Sequence, residues 1–205
     1  MLARLNFINR TDSGHQASIL VFQDNANADL PPATVAWTVI RHCGKDCSHP
    51  FLYSSDFEIA LSDEFGNYSP RQAAPCGSWF AVTACAVGRQ LSRRGAADRN
   101  RQIVLRNELA RGAVNANIYA AGRLLACRNG IAPGQKALFE FKQTLSIGIA
   151  TQAEEGQIID VAGIAGPLTE LSLSGVASAD IVMSGGGAGN TARPYEFNLD
   201  NLQKA

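Results

Sequence analysis

The segment Arg41-His-Cys-Gly-Lys-Asp-Cys-Ser-His49 holds two of the chain's three histidines and two of its five cysteines. Thiolate and imidazole are the ligands zinc prefers, and close pairs on a turn are how small sites are built. Cys43, Cys47 and His49 are therefore the candidate metal ligands, with zinc as the metal. His42 and Cys43 are adjacent and would point to opposite sides of an extended chain. A structural site would need a fourth ligand from elsewhere, such as Cys76 or His15. A Cys43–Cys47 disulfide closing the turn under oxidising conditions is a second reading. The third is a hairpin loop whose thiols and imidazoles share no role. It needs no distant partner, so the expected cofactor is none and zinc is the alternative.

A second chemistry-bearing stretch is basic. Arg89, Arg93, Arg94, Arg99, Arg101, Arg106 and Arg111 fall within one segment, opposed by Asp98 and Glu108. Arginine forks bind phosphate, sulfate and carboxylate bidentately, which makes this segment the candidate for anion or nucleic-acid binding. The chain uses 14 arginines and 4 lysines throughout, so the run reflects a general preference for arginine. It also lacks the aromatic interleaving that single-stranded nucleic acid requires. A solvated face is the expectation, and nucleic acid is not an expected partner.

Other catalytic templates are incomplete. Gly185-Gly-Gly-Ala-Gly-Asn190 follows a strand pattern, but no Gly-Lys-Ser/Thr completes a phosphate loop. There is no Gly-x-Ser-x-Gly elbow and no His-Glu-x-x-His. Cys76 or Cys85 with a histidine would make a nucleophile pair, yet each sits at or in a strand pattern, where cysteine serves as a small hydrophobe. Among Trp37, Trp79, Tyr53, Tyr68 and Tyr119, most are expected in the core. Tyr53 and Tyr68 read as loop aromatics able to stack on a sugar, with Asp56 and Asn67 as loop hydrogen-bonding groups.

The elements that must position these residues are strands. From Pro133 to Asp160 a Pro-Gly turn leads into a segment where Phe139, Phe141, Leu145, Ile147 and Ile149 share one parity. Glu140, Lys142, Thr144 and Ser146 occupy the other, and a second turn follows at Glu155-Gly156. Period-two alternation bounded by turn residues predicts one strand with a single buried face. Leu2–Ile8 reads as a first strand, and Asn9–Gly14 as a hairpin connection. Ala17–Gln23 is a continuous apolar run suited to a strand covered on both faces, followed by a loop closed by Pro31-Pro32. Val35, Trp37 and Val39 predict a third strand. Asp63–Pro70 is a turn cluster, and Cys76-Gly77 turns into a strand over Ser78–Val87. The only helices expected are short pieces, such as Ala86–Arg94, which runs into an Arg-rich connection over 88–101. About a dozen short strands at regular spacing predict an all-β antiparallel β-sandwich, expected as a single domain over residues 1–205.

Lys+Arg and Asp+Glu both total 18, so no net charge draws the chain toward nucleic acid or an anionic membrane. A near-neutral chain also lacks self-repulsion, which favours a homo-oligomer. No apolar stretch approaches the length of a membrane helix. The opening residues alternate as a strand and carry no signal h-region. A cytoplasmic, reduced protein is the expectation, with export by a route lacking a cleaved signal left open. Asn9-Arg10-Thr11 matches a glycosylation sequon, expected to be coincidental.

Several short features run nearly end to end: Asn6 and Asn9 in the first strand, Val21-Phe-Gln23, Val35-Ala-Trp37 and Gly77-Ser-Trp79. The Pro133-Gly134 turn into Phe139-Glu-Phe141 and the Gly156-Gln157-Ile158 turn continue the pattern. In this layout the chain resembles a group of bacterial proteins that includes the rhizosphere-expressed RhiA proteins. The resemblance implies a soluble β-sandwich made in large amounts under density-dependent control, and it contributes no catalytic residues. The Cys/His loop and the Arg-rich segment depart from that pattern. The function expected from the residues is a non-enzymatic binding or self-assembling module with a glycan or a protein as ligand.

Overall fold

The computed structural model describes residues 2–12, 18–26, 33–159, 164–187 and 189–205. His15, Ala17, Gly14, the Pro31-Pro32 pair, Asp160 and Ala188 lie outside them. The fold is all-β, of β-sandwich type. Among the described residues, regular structure consists of eighteen strands, numbered β1 to β18 along the chain, and a 3-10 turn at Gly189–Thr191. The chain divides into two compact units. The first takes Met1–Gln23, Thr34–Ser55 and Gln143–Ala205; the second takes Asp24–Ala33 and Asp56–Lys142.

In the first unit, β1 (Leu2–Asn9) lies between β5 (Ser48–Ser54), antiparallel, and β17 (Val176–Gly186), parallel; β18 (Arg193–Lys204) closes the sheet beyond β17. Ala3, Leu5 and Phe7 alternate into the core from β1, as period-two patterning requires. A second sheet has the order β16 (Ile164–Ser172), β14 (Thr144–Ala150), β2 (Ser18–Phe22), β4 (Thr38–Ile40). Ile19, Leu20, Val21 and Phe22 are all buried, so the apolar run of β2 is covered on both faces. Through Thr34 and Val35, β3 (Ala33–Val35) pairs with β15 (Ile158–Ile159). Trp37 is fully buried, with Phe51 and Tyr53 edge-on at 6.1 Å each.

The second unit contains the order β13 (Lys136–Glu140), β10 (Gln102–Asn107), β8 (Ser78–Cys85), β9 (Gly88–Ala96), in which β8 and β10 run parallel. Its other strands follow the order β12 (Arg123–Ile131), β11 (Val114–Ala120), β6 (Phe57–Ser62), β7 (Gln72–Ala73). Phe80, Ile103, Leu105, Ile59, Ile118 and Phe139 are buried between them. Asn25 belongs to this unit: its Nδ2 donates to the Leu138 carbonyl and its Oδ1 accepts from the Glu140 amide, at 3.1 and 2.8 Å.

Four expectations are corrected. The alternating segment 139–149 is two strands, β13 and β14, that belong to different units. All five of its apolar residues are buried as expected, but Lys142 and Gln143 are exposed where the chain leaves one sheet for another. Parity survives such a crossing, so alternation alone could not reveal it. Val35, Trp37 and Val39 do not share a strand: β3 ends before Ala36, and β4 begins after Trp37 in another sheet. The 86–94 segment is not helical. Its arginines lie along β9, which forms a hairpin with β8 through paired Cys85 and Gly88. Asn9–Gly14 does not join a hairpin, because β17 and β5 occupy both edges of β1 and β2 pairs with β14 and β4.

Candidate functional site

Residues 41–47 form a tight loop ahead of β5, with His42 and Asp46 in the left-handed region. Asn9 clamps it. The Asn9 Nδ2 donates to the Cys43 carbonyl at 2.8 Å, its backbone N–H donates to the Cys47 carbonyl, and its carbonyl accepts from the Asp46 amide. Asn9 is buried and its Oδ1 accepts from the Thr11 amide, so the side chain that matched a sequon is a structural brace. Ion pairs Lys45–Asp12 at 2.8 Å and Arg10–Asp46 at 3.3 Å flank the loop.

Within this loop Cys43 is half-buried and Cys47 exposed, while His49 lies inside β5 opposite Phe7 of β1. His49 is thus a strand residue, and the loop does not draw the three side chains into one ligand set. Among the described residues no group of three or more His, Cys, Asp or Glu is placed to hold a metal ion. All five cysteines are free thiols. Burial, and then the neighbouring Cys47, push the Cys43 thiol above its ordinary range; burial does the same to Cys76 and Cys127.

The glycan-type residues separate. Tyr53 is not a loop residue: it lies in β5, is 1% exposed, and its hydroxyl accepts from Gln23 Nε2 at 3.2 Å. Burial removes it from any stacking platform. Asp56 is exposed just before β6. Asn67 and Tyr68 lie in the turn after β6, in the second unit.

That turn is built by Asp63. Its Oδ1 accepts from the backbone N–H groups of Phe65 and Asn67 at 3.0 and 2.9 Å, and its Oδ2 accepts from Asn67 Nδ2 at 3.0 Å. Those bonds, led by Asn67, hold the Asp63 carboxyl below the usual carboxylate range. Gly66 takes a φ of 80° at the apex, a conformation glycine adopts without steric cost. The chain then returns to β6 through a bridge between Ser62 and Tyr68 and a bond from the Ser69 amide to the Leu61 carbonyl. Tyr68 leaves this fixed turn 63% exposed, and Phe65 is 80% exposed at the tip.

Beside Tyr68, one face of the β12-β11-β6-β7 group carries polar and aromatic groups. Asn117 Nδ2 donates to Ser62 Oγ at 2.9 Å. The Arg71 guanidinium lies over the Tyr119 ring at 3.8 Å, donates to the Gly122 carbonyl at 3.1 Å, and stands 3.7 Å from Glu58. Burial raises the Tyr119 phenol above its ordinary range; Arg71 opposes the shift, and Tyr68 adds to it. Neither Arg71 nor Glu58 stands out in the local sequence, because their convergence depends on the pairing of β7 with β6. The turn itself was visible in the Asp-Glu-Phe-Gly-Asn run.

The arginines of 89–111 are shared among several elements. Arg89, Arg93 and Arg94 lie on β9, Arg99 and Arg101 around the turn into β10, Arg106 on β10, and Arg111 beyond it. No helix among the described residues is long and apolar enough to cross a membrane. No family model, curated protein or solved structure matches the chain.

Proposed function

We propose that the chain is a non-enzymatic binding module that engages a glycan at the Asp63–Pro70 turn and the adjoining face of β6, β7 and β11. The observation that carries this reading is the presentation of Tyr68. A large aromatic ring stands in solvent on a turn held by three hydrogen bonds to the Asp63 carboxylate, next to a polar sheet face. An exposed aromatic ring offers an apolar surface for the C–H face of a sugar, and its hydroxyl remains available for a hydrogen bond. Glu58 and Arg71 supply an acceptor and a donor within the same surface. Fixing the turn beforehand lowers the ordering cost on binding.

The test is a glycan array followed by titration calorimetry on the best-bound sugar. Replacing Tyr68 by Ala should weaken binding by about tenfold or more, with circular dichroism and melting temperature unchanged. Unchanged affinity would remove this face from the function, and binding to no sugar on the array would turn the reading toward a protein ligand.

A further inference from the structure

A second surface of the same unit lies at the open end of the β10-β13 pair. Arg106, Arg128, Gly134, Gln135 and Lys136 line a cleft of about 500 Å³. The lining contains three cations and no carboxylate. Arg106 and Lys136 are direct partners in the antiparallel register of β10 and β13. Like charges placed directly across a ladder destabilise it, and among the described residues no ion pair involves Arg106, Arg128 or Lys136.

The cleft is held in shape without a ligand. The Arg106 guanidinium packs over the Trp79 ring at 4.9 Å, a cation–π contact that orients the fork while leaving its N–H edges available. The turn that carries Lys136 is fixed at both ends. Gly134 donates its N–H to the Asn107 carbonyl at 2.8 Å, and the Asn107 N–H donates to the Gln135 carbonyl at 2.9 Å. Gln135 Oε1 accepts from the Ala132 N–H at 3.1 Å. Asn107 is buried, and its Nδ2 bonds the carbonyls of Gly112 and Ile131 at 3.0 and 2.8 Å. Positive charge is therefore gathered on a rigid support, which is the arrangement that favours a multiply charged oxyanion.

We infer that this cleft binds the phosphate or sulfate group of a small ligand, with Arg106, Arg128 and Lys136 as its charged contacts. The volume exceeds a lone oxyanion and leaves room for the organic part of a monoester. Three cations in one cleft form a compact point of attraction, whereas a polynucleotide calls for a basic groove that follows its backbone.

The experiment titrates the intact chain with inorganic phosphate, sulfate and pyrophosphate, in separate arms, by amide and arginine side-chain NMR. Saturable shifts at Gly134, Arg106 and Arg128 with dissociation constants of about 1 mM or tighter are expected. The better of the phosphate and sulfate arms identifies the ester class. Lys136→Gln, and Arg128→Gln in addition, should each weaken binding several-fold, while Arg93→Gln with Arg94→Gln, which removes the same charge from β9, should not. Without added anion and at low salt, Lys136→Gln should melt at or above the parent temperature, because the cross-strand repulsion is gone. Non-saturating shifts, equal losses in the β9 variant, or a lower melting temperature for Lys136→Gln would each overturn the assignment.

Discussion

Tyr119 makes the chemistry of a single side chain measurable. It is buried under Arg71, and its phenol is pushed above the ordinary tyrosine range, chiefly by burial. As pH rises, the unfolded chain loses this proton first, so in that window the folded state binds more protons. Stability is then complete below the ordinary tyrosine value and declines as pH climbs through the raised one. Denaturant unfolding of Tyr119→Phe, followed from neutral into strongly alkaline solution, should show a shallower alkaline decline than the parent. An identical slope would mean that other groups set the alkaline limit. Cys127 shares the direction of the shift, so the decline should be reduced in the variant without disappearing.

At the scale of elements, the pairing of β17 with β18 depends on Gly185. Its φ of 94° lies in the left-handed region, and a Cβ there would collide with the Pro194 carbonyl oxygen, a backbone atom that cannot swing aside. Gly185→Ala should destabilise the first unit by at least about 2 kcal/mol. Gly148→Ala offers the contrast, because its Cβ would meet Leu168 Cδ2 at 2.7 Å and Ile164 Cγ2 at 3.1 Å, the outer ends of side chains that can rotate. Thermal melts of the two variants should rank Gly185→Ala as the more damaging, and the reverse order would show that β18 is free to shift. The strands themselves were largely legible in the sequence. Leu2–Asn9, the apolar run of β2 and the Phe80/Val82 alternation of β8 follow from local patterning, as does the turn at Pro133-Gly134. Two things were not legible. Alternation continues through Lys142 and Gln143 although the chain changes sheets there, because parity carries no information about the partner strand. The Arg-rich β9 buries only Leu91 among its larger side chains, so it lacks the apolar rhythm by which strands are recognised. For the candidate site, Asn67 and Tyr68 were found as turn residues. Tyr53 was misplaced because its neighbours Leu52 and Pro50 are exposed while it points inward.

On the scale of the whole molecule, the two units draw on different parts of the chain. All segments of the second unit are complete by Lys142, whereas the first takes its largest segment from Gln143–Ala205. Each unit contains one of the two tryptophans, Trp37 in the first and Trp79 in the second. A chain ending at Lys142 lacks β14 to β18, which removes one of the two partners of β2 and one of the two partners of β1. In that shortened chain, fluorescence of a Trp79→Phe variant should show Trp37 in water. A Trp37→Phe variant should keep the native-like emission of Trp79 beside Arg106. Shielded emission from Trp37 would show that β1, β4 and β5 hold their core without the later strands.

The parallel pairing of β1 with β17 also sets an order in time. Asn6 bonds Asp180 across 174 positions of chain. At about 5–20 residues per second, the ribosome takes roughly 9–35 s to synthesise the intervening polypeptide. Throughout that interval the nascent β1 has β5 available on one side, while the opposite row of backbone donors and acceptors awaits a partner not yet translated. An unpaired strand edge invites association with other chains. During synthesis, that edge of β1 therefore stays open to other chains until β17 has been made.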